Sequence, residues 1–304
     1  MDALIAALIA LVALGAACAL WGIGIERQLF VIRRETVSVL PEGSRPIRVL
    51  HLSDIHMAPW QGRKQRWLKR VLARLVAAAE VDLVIDTGDN LGHRDAIAPT
   101  LRALQPALGV AGVFVNGSND YYAPVLRNPL AYLTKPSERS EGAPLDTAAL
   151  TSAFEAAGWR NLNNRGAVLE IAGTRIGFIG TDDPHDGLAD LDSLAEQAAA
   201  NGPVAVTIGV THAPYLKVIY ALADAGATLA FAGHTHGGQV AIPGFGALVT
   251  NCDLPAKFAK GLSGWRSELG NALILNVCAG LGHSIFVPVR FAVRPEVRLL
   301  TLTD

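Results

Sequence analysis

The stretch "FAGHTHGGQV", residues 231–240, sets His234 and His236 one residue apart between glycines, directly after an apolar run. Imidazole is a common ligand for transition metals, and glycines let the backbone come close to a bound ion. The apolar run before the histidines has the length and composition of a buried strand. The stretch therefore predicts a ligand-bearing loop at the end of a strand, with further ligands supplied from elsewhere in the chain.

Apolar strands alternate with helical patterns through most of the sequence. From 63 to 80 the apolar positions repeat at helical spacing, and "EIAGTRIGFIGTDD" (170–183) is typical of a hairpin that turns at Gly173. This alternation predicts α/β layers, and the β-rich last third of the sequence indicates a second sheet. The other predicted strands are "IRVLHLSD" (47–54), "VDLVIDTGD" (81–89), "GVFVNGS" (112–118), "PVAVTIGVTH" (203–212) and "ATLAFAGHTH" (227–236).

Side chains that can bind metal follow these strands one group at a time. Asp54 and His56 follow the first strand, Asp89 the second, "NGSND" (116–120) the third, and His212 a later one. Strand carboxyl ends in an open α/β sheet converge on one crevice, so we expect these side chains to meet. Mixed carboxylate and imidazole ligands suit Mn, Fe or Zn. Two such ions about 3.5–4 Å apart clamp both oxygens of an in-line phosphoryl displacement, with a shared carboxylate as the natural bridge.

In this order the motifs resemble those of the calcineurin-like metallophosphoesterases, and the ending "GLGHSIFVPVRFAVRPEVRLLTL" (280–302) resembles their membrane-associated bacterial branch. The motifs are "SDIH" (53–56), "TGDN" (87–90), "NGSND" (116–120), "VTHAP" (210–214) and "GHTHGGQV" (233–240). The resemblance covers residues 47–304 and implies a four-layer α/β/β/α sandwich of two mixed sheets. It also implies a metal-bridging hydroxide as nucleophile and two divalent metal ions. Their ligands would be Asp54, His56 and His236 for the first ion, Asp89 as bridge, and His212 and His234 for the second.

The third motif departs from the family pattern, which is normally Gly-Asn-His-Asp or Gly-Asn-His-Glu. Here it reads Gly-Ser-Asn-Asp over residues 117–120. Either Ser118 or Asn119 takes the ligand position, and we favour Asn119 because an amide oxygen is the better neutral ligand and reaches further. Neither side chain can act as an acid near neutral pH, so we expect a substrate with a good leaving group. A replacement acid could come from His93, His185 or His283.

The candidate catalytic residues are therefore Asp89, Asn119, His185 and His283, and the candidate substrate contacts are Asn90, Tyr121 and Asp183. Asn90 is expected to orient Asp89, and Asp183 either contacts substrate or caps the turn before Pro184. The stretch 121–146 contains four prolines. A connection of that length predicts a lid, an apolar substrate wall or a variable surface loop.

Residues 3–25 contain no charge and are long enough to cross a bilayer as a helix. A cleaved signal peptide fits less well, because a basic leading region is absent and the apolar run is too long. Arg27, Arg33 and Arg34 follow the span, which favours a single-pass protein of the cell membrane with its large domain on the cytoplasmic side. The predicted organisation is a membrane anchor at 1–28, a linker at 29–46 and a catalytic domain at 47–304.

Charge and composition narrow the function further. The net charge of −1 gives no reason to expect nucleic acid as a partner. The basic residues of the predicted helix at 63–80 form either a solvated face or a contact with an anionic leaflet. We expect a metal-dependent phosphoesterase that hydrolyses a phosphodiester, phosphomonoester or pyrophosphate bond of a lipid-linked or nucleotide substrate. The rival hypothesis is a metal-binding scaffold with weak turnover, for which the altered third motif is the support.

Overall fold

A computed structural model of the chain describes residues 2–126 and 142–304. The first helix, α1 (Asp2–Leu20), continues through a π-helical turn (Trp21–Ile25) and a 3₁₀ turn (Glu26–Gln28). This helical stretch is long and apolar enough to cross a membrane, judged by length and composition, and its most apolar part is not buried in the protein. The predicted apolar N-terminal helix is therefore present. Of the predicted lid, residues 127–141 lie outside the described part of the chain.

Two six-stranded mixed sheets follow the first helix. In the first sheet the strand order is β1-β14-β2-β3-β4-β5, and only the β14–β2 pair is antiparallel. Its strands are β1 (Val31–Ser38), β2 (Ile47–Leu52), β3 (Leu83–Asp86), β4 (Gly112–Phe114), β5 (Arg160–Asn161) and β14 (Glu296–Thr303).

In the second sheet the order is β12-β13-β9-β8-β7-β6, and both outer pairs are antiparallel. Its strands are β6 (Gly166–Ile171), β7 (Thr174–Gly180), β8 (Val206–Val210), β9 (Leu229–Ala232), β12 (Gly261–Arg266) and β13 (Ala272–Val277). The hairpin predicted at Gly173 is confirmed as the β6–β7 turn, where that glycine has a φ of 83°. A small separate hairpin joins β10 (Ala241–Ile242) to β11 (Gly246–Ala247).

The helices pack on the two outer faces of the paired sheets. Helices α2 (Gly62–Ala77), α3 (Ile97–Leu104) and α5 (Thr147–Ala156) contribute to one apolar core with the first sheet. Helices α6 (Leu194–Asn201) and α7 (Leu216–Asp224) contribute to another with the second sheet. A third core, drawn from strands of both sheets, fills the space between them. The predicted four-layer α/β/β/α sandwich is therefore confirmed.

Strand β2 shows how alternation builds the layers. Leu50 and Leu52 join the core under the helices, whereas Ile47 and Val49 join the core between the sheets. His51 lies on the inter-sheet side, where its Nε2 is 3.0 Å from Thr87 Oγ1 and its Nδ1 is 2.8 Å from Asn276 Nδ2 of the second sheet. A strand presents successive side chains to opposite faces, so both faces of this buried strand are covered.

The predicted linker at 29–46 is wrong in its first half. Residues 31–38 form strand β1, which pairs in parallel with β14 over eight residues at the edge of the first sheet. Its arginines and glutamate are typical of an edge strand, because charged side chains there keep other strands from pairing with its free backbone N–H and C=O groups. The polar pattern looked like a linker because half of this strand's residues are exposed and only one is buried.

The predicted basic helix is confirmed as α2, but Lys64 does not belong to a solvated face. It is 4% exposed, and its Nζ donates to the carbonyl oxygens of Ile55 at 2.5 Å and His56 at 3.0 Å. Buried ammonium groups are costly unless they are hydrogen-bonded in this way. Lys64 therefore fixes the backbone of the loop that carries Asp54 and His56.

Candidate metal centre

The loops at the carboxyl ends of β2, β3, β8 and β9 meet in one place between the two sheets. Two groups of three side chains have ligand atoms within 4.8 Å of one another. The first group is Asp54, His56 and His236, and the second is Asp54, Asp89 and His212. All of these residues were predicted as ligands from their motifs, and the structure brings them together.

Asp89 lies between the two groups. Its Oδ2 is 3.3 Å from His56 Nε2 and 3.6 Å from His212 Nε2, and those histidines belong to different groups. His236 Nε2 lies 3.7 Å from Asp54 Oδ1 on the far side of the first group. One carboxylate oxygen thus faces a candidate ligand from each group, and Asp89 is the residue that would bridge two ions if both were bound.

The ring nitrogens of the histidines are arranged as a metal site requires. His212 Nδ1 is 2.7 Å from the Thr87 carbonyl oxygen, which can only accept, so Nδ1 carries a proton and Nε2 is the nitrogen left to face the other candidate ligands. That Nε2 is buried and has no hydrogen-bond partner among the described residues. His56 Nε2 and His236 Nε2 lie 3.2 Å apart in the first group. A cation can bind two imidazole nitrogens that lie this close and a buried nitrogen that has no other partner, so these residues fit a divalent metal.

His234 stands next to the second group and outside both triads. Its ring centroid is 5.2 Å from that of His212, and its backbone N–H donates to Asp54 Oδ1 at 3.1 Å. Its Nε2 lies 3.2 Å from the Asn251 carbonyl oxygen. Because that carbonyl oxygen can only accept a hydrogen bond, Nε2 carries a proton, and Nδ1 is the nitrogen available to the predicted second metal.

The backbone of these loops is unusual at the candidate ligands themselves. Five of them adopt the left-handed region that non-glycine residues rarely enter. Such conformations cost free energy and persist at functional sites, where the surrounding structure enforces them. The five are Asp54 (φ 47°), His56 (φ 40°), Asp89 (φ 56°), His234 (φ 68°) and His236 (φ 50°).

Two glycines let these loops approach each other. A Cβ on Gly117 would meet Asp89 Oδ1 and would lie 2.7 Å from His212 Cε1. A Cβ on Gly233, just before His234, would overlap Ser53 Oγ and Asp54 Oδ2. Only a hydrogen fits at either position, so these glycines are required by close packing and not by φ.

The third motif contributes Asn119 and Asp120 through the short helix α4 (Ser118–Tyr121). Asn119 donates to both oxygens of Asp89, from its backbone N–H at 2.8 Å and from its side-chain amide at 2.8 Å. Asp120 is buried and accepts from the backbone N–H groups of Asp89 at 2.8 Å, Asn90 at 2.8 Å, Leu91 at 3.2 Å and Gly117 at 3.1 Å. Asn119 therefore contacts the Asp89 carboxylate directly, and Asp120 braces two loops of the centre.

Buried carboxyl groups concentrate negative charge here. Burial raises the pKa of Asp54, raises that of Asp86 to about 6 and raises that of Asp183 to about 7. Burial also tends to raise the pKa of Asp89, but the neighbouring His212 and His56 hold it well below its usual range. Asp89 is therefore the group best held as an anion, and a divalent cation would offset the charge of this cluster.

The remaining predicted residues surround the centre with different contacts. His185 lies at the second group, with its ring centroid 4.8 Å from that of His234 and its Nδ1 2.9 Å from Tyr215 Oη. His283 is buried, and its ring nitrogens lie 3.3 Å from Arg27 Nη1 and 2.9 Å from the Ser284 carbonyl oxygen. Burial and the charge of Lys64 lower the pKa of His283 to about 3, so it is neutral at pH 7 and poorly suited as a proton donor.

The three predicted substrate contacts are engaged within the protein. Tyr121 Oη donates to Asp182 Oδ1 at 2.7 Å. Asp183 accepts from the backbone N–H of His185 at 3.0 Å, which is the contact expected if Asp183 caps the turn before Pro184. Asn90 donates from its side chain to Asp86 Oδ1 at 3.0 Å, so its contact is with Asp86 and not with the Asp89 carboxylate. The proposed role of each in binding substrate remains a prediction.

Sequence reasoning missed two polar residues that organise the centre. Ser53 donates to Asp54 Oδ2 at 2.5 Å. Arg290 is fully buried, and its guanidinium donates to the carbonyl oxygens of Ala279 at 2.6 Å, Gly282 at 2.8 Å and His236 at 3.2 Å. The serine of "SDIH" was visible as a hydroxyl beside a candidate ligand, but a single arginine in an irregular loop carries no pattern.

Several known proteins are similar to this chain in sequence or in structure. Residues 47–238 match the sequence profile of the calcineurin-like phosphoesterase family. The uncharacterized metallophosphoesterase YkuE of Bacillus subtilis (strain 168) is 24% identical over 272 residues, which is 87% of this chain and 82% of the relative. A transmembrane protein with metallophosphoesterase domain from Bos taurus is 26% identical over 269 residues, 86% of this chain, and the match spans 54% of that relative. Among solved structures, the purple acid phosphatase PPD1 from yellow lupin seeds has a TM-score of 0.43 at 14% identity, covering 84% of this chain and 47% of that one.

Proposed function

The chain belongs to the calcineurin-like phosphoesterase family, and on that premise we propose that it is a membrane-anchored hydrolase of phosphoric ester or anhydride bonds. The observation that carries the proposal is the position of Asp89, which belongs to the second candidate group and whose Oδ2 faces both His212 of that group and His56 of the first. Such a shared carboxylate is what a two-metal centre for phosphoryl transfer needs.

The contacts support the ligand assignment that the motifs imply. Asp54, His56 and His236 would hold one divalent ion, His212 and His234 the second, and Asp89 both, with Asn119 the candidate neutral ligand. Mn, Fe and Zn suit this mixture of carboxylate and imidazole. When bound, such ions supply polarisation of a phosphoryl oxygen and a lowered pKa for water.

The chain's own residues then set which bonds can be broken. Asn119 occupies the position beside Asp89 and cannot give a proton to a departing group. His185 is the remaining candidate donor at the second group, since its ring lies beside His234 and Tyr215. We therefore propose a substrate whose leaving group needs little protonation, such as a phosphoanhydride or an aryl-like diester.

Contacts between the centre and the first helix support a lipid-linked substrate. Arg290, which binds the His236 carbonyl, donates its backbone N–H to the Gly22 carbonyl oxygen at 3.2 Å. Phe286 lies in the loop at 283–291 that carries Arg290, and it is 43% exposed. The neighbouring hairpin β10–β11, tied to this loop through Ala241 and Phe291, exposes Phe245 by 75%. Two exposed phenylalanines thus lie on segments that are linked to the centre and to the membrane helix, and we propose that they contact the acyl part of the substrate. The arginines after that helix favour a cytoplasmic orientation.

Hydrolysis of bis-p-nitrophenyl phosphate by the full chain in neutral detergent tests the proposal. We expect turnover that depends on added Mn²⁺ and falls by at least 10²-fold in Asp89→Asn, which keeps the shape of the side chain but not its charge. Asp95→Asn, an exposed aspartate outside the centre, is the matched control. A parallel screen of lipid extracts and nucleoside diphosphates would identify the substrate class.

The altered third motif supports one alternative, a metal-binding protein with little turnover. Metal binding measured by calorimetry separates the two functions. Full loading with metal and no activity above the Asp89→Asn variant would establish the scaffold and refute the hydrolase.

A further inference from the structure

A cationic cavity lies beside the point where the first helix ends and the first sheet begins. Its volume is about 320 Å³, at the small end of the range for ligand sites. The membrane-proximal residues Gln28, Leu29 and Phe30 form one wall. The remaining lining residues, all cationic or aromatic, are Arg63, Arg66, Trp67, Arg70 and Arg294.

Helix α2 presents its cavity residues as a single stripe. Arg63, Arg66 and Arg70 are spaced by three and four residues, with Trp67 between them, so all four share one face of the helix. The three arginine side chains are exposed, and none of them forms an ion pair within the described part of the chain. Unpaired like charges crowded in this way repel each other, and an anion relieves the repulsion.

The opposite wall is held rigidly. Arg294 Nε donates to the Leu29 carbonyl oxygen at 2.9 Å, and the Phe30 and Trp67 rings pack with centroids 5.1 Å apart. Val31, the next residue, donates its N–H to Pro295 at 2.9 Å as strand β1 begins. The cavity is therefore fixed directly after the apolar helical stretch that is long enough to cross a membrane, and none of its lining side chains is acidic.

We propose that this cavity binds the phosphate of an anionic phospholipid headgroup. Arginine forks match phosphate geometry, and tryptophan and phenylalanine beside them suit the boundary between headgroups and acyl chains. The position at the end of the apolar helix favours a lipid over a soluble phosphate, because a bilayer places headgroups at this level. The site is separate from the candidate metal centre and does not depend on the proposed hydrolysis.

Native mass spectrometry of the full chain in neutral detergent tests this site. Phosphatidylglycerol and phosphatidylcholine are added at equal concentrations, and the molecules of each lipid that stay bound to the protein are counted. We expect a preference for phosphatidylglycerol in the natural protein and a roughly tenfold or greater loss of it in Arg66→Gln/Arg70→Gln. The matched control is Lys69→Gln/Arg74→Gln, which removes the same charge from the same helix outside the cavity and should change retention less than twofold.

Each other outcome overturns the proposal. Equal retention of the two lipids by the natural protein would show that the cavity does not select an anionic headgroup. Equal losses in both double variants would show that the basic helix attracts anionic lipids only through its diffuse charge. Displacement of the lipid by an equal concentration of inorganic phosphate would make it a site for soluble phosphate. Hydrolysis of bis-p-nitrophenyl phosphate should be unchanged in both double variants, so failure of this site and failure of the proposed function are distinguishable.

Discussion

Gly117→Ala should disable the candidate metal centre through a single methyl group. The backbone at Gly117 has φ −109° and ψ 173°, which any residue adopts, so the substitution adds no backbone strain. The new Cβ would lie 2.7 Å from His212 Cε1 and closer still to Asp89 Oδ1, whereas real Cβ contacts essentially never fall below 3.0 Å. Gly117 and His212 must therefore separate by at least 0.3 Å, which is 3.0 minus 2.7, and Gly117 and Asp89 by at least 0.7 Å, which is 3.0 minus 2.3.

A displacement of this size is large on the scale of catalytic geometry, where an error of about 1 Å costs roughly 10²-fold in rate. We expect kcat/KM for bis-p-nitrophenyl phosphate to fall between tenfold and 10²-fold, and Mn²⁺ affinity measured by calorimetry to fall as well. Gly109→Ala is the control, because its Cβ meets nothing within 4 Å. Thermal melting should show both variants folded. Activity and affinity of Gly117→Ala within threefold of the control would refute the packing argument.

Three further variants test the groups around the centre. Burial and the charge of Lys64 lower the pKa of His283 to about 3 in the folded protein, against about 6.5 in the unfolded chain. The unfolded chain therefore binds the extra proton, and the free energy of unfolding falls as the pH drops below about 6.5. Between pH 7.5 and 5 the free energy of unfolding should therefore fall by about 2 kcal/mol less in His283→Asn than in the natural protein. Melting temperatures that fall equally with pH in the two proteins would contradict this. Asp120→Asn replaces an acceptor of four backbone N–H groups and should cost about 2 kcal/mol of unfolding free energy, whereas a melting temperature equal to that of Asp95→Asn would argue against the brace. Asn119→His should raise hydrolysis of alkyl esters relative to p-nitrophenyl esters about 10²-fold, and an unchanged ratio would show that the missing acid does not limit the bonds broken.

The layers and the meeting of the candidate ligands could be predicted from sequence because both depend on local patterns. Alternating apolar residues give the strands, and carboxyl ends of neighbouring parallel strands share one edge. Asp54 and Asp89 were therefore expected to lie close together after β2 and β3, and His212 and His234 after β8 and β9. The roles of these residues in binding metal remain predictions for the experiments above.

What could not be predicted depends on distant partners. Strand β1 resembles a linker because its charged edge gives no apolar alternation, and its partner lies at residues 296–303. Lys64 is one of several basic residues on α2, and only the tertiary fold turns it toward the carbonyls of Ile55 and His56. Arg290 likewise acquires its role only when the loop at 279–282 and His236 surround it.

The pairing of β1 with β14 also sets the order in which the protein can be completed during synthesis. Ser38 and Thr303 are neighbours in the sheet but 265 residues apart in the chain. At about 5–20 residues per second, a ribosome needs roughly 13–50 s to make the intervening chain. Throughout that interval the strand next to the membrane helix has no partner, and the arginines and glutamate of β1 keep it from pairing with other chains. The edge nearest the bilayer is therefore the last part of the first sheet to close.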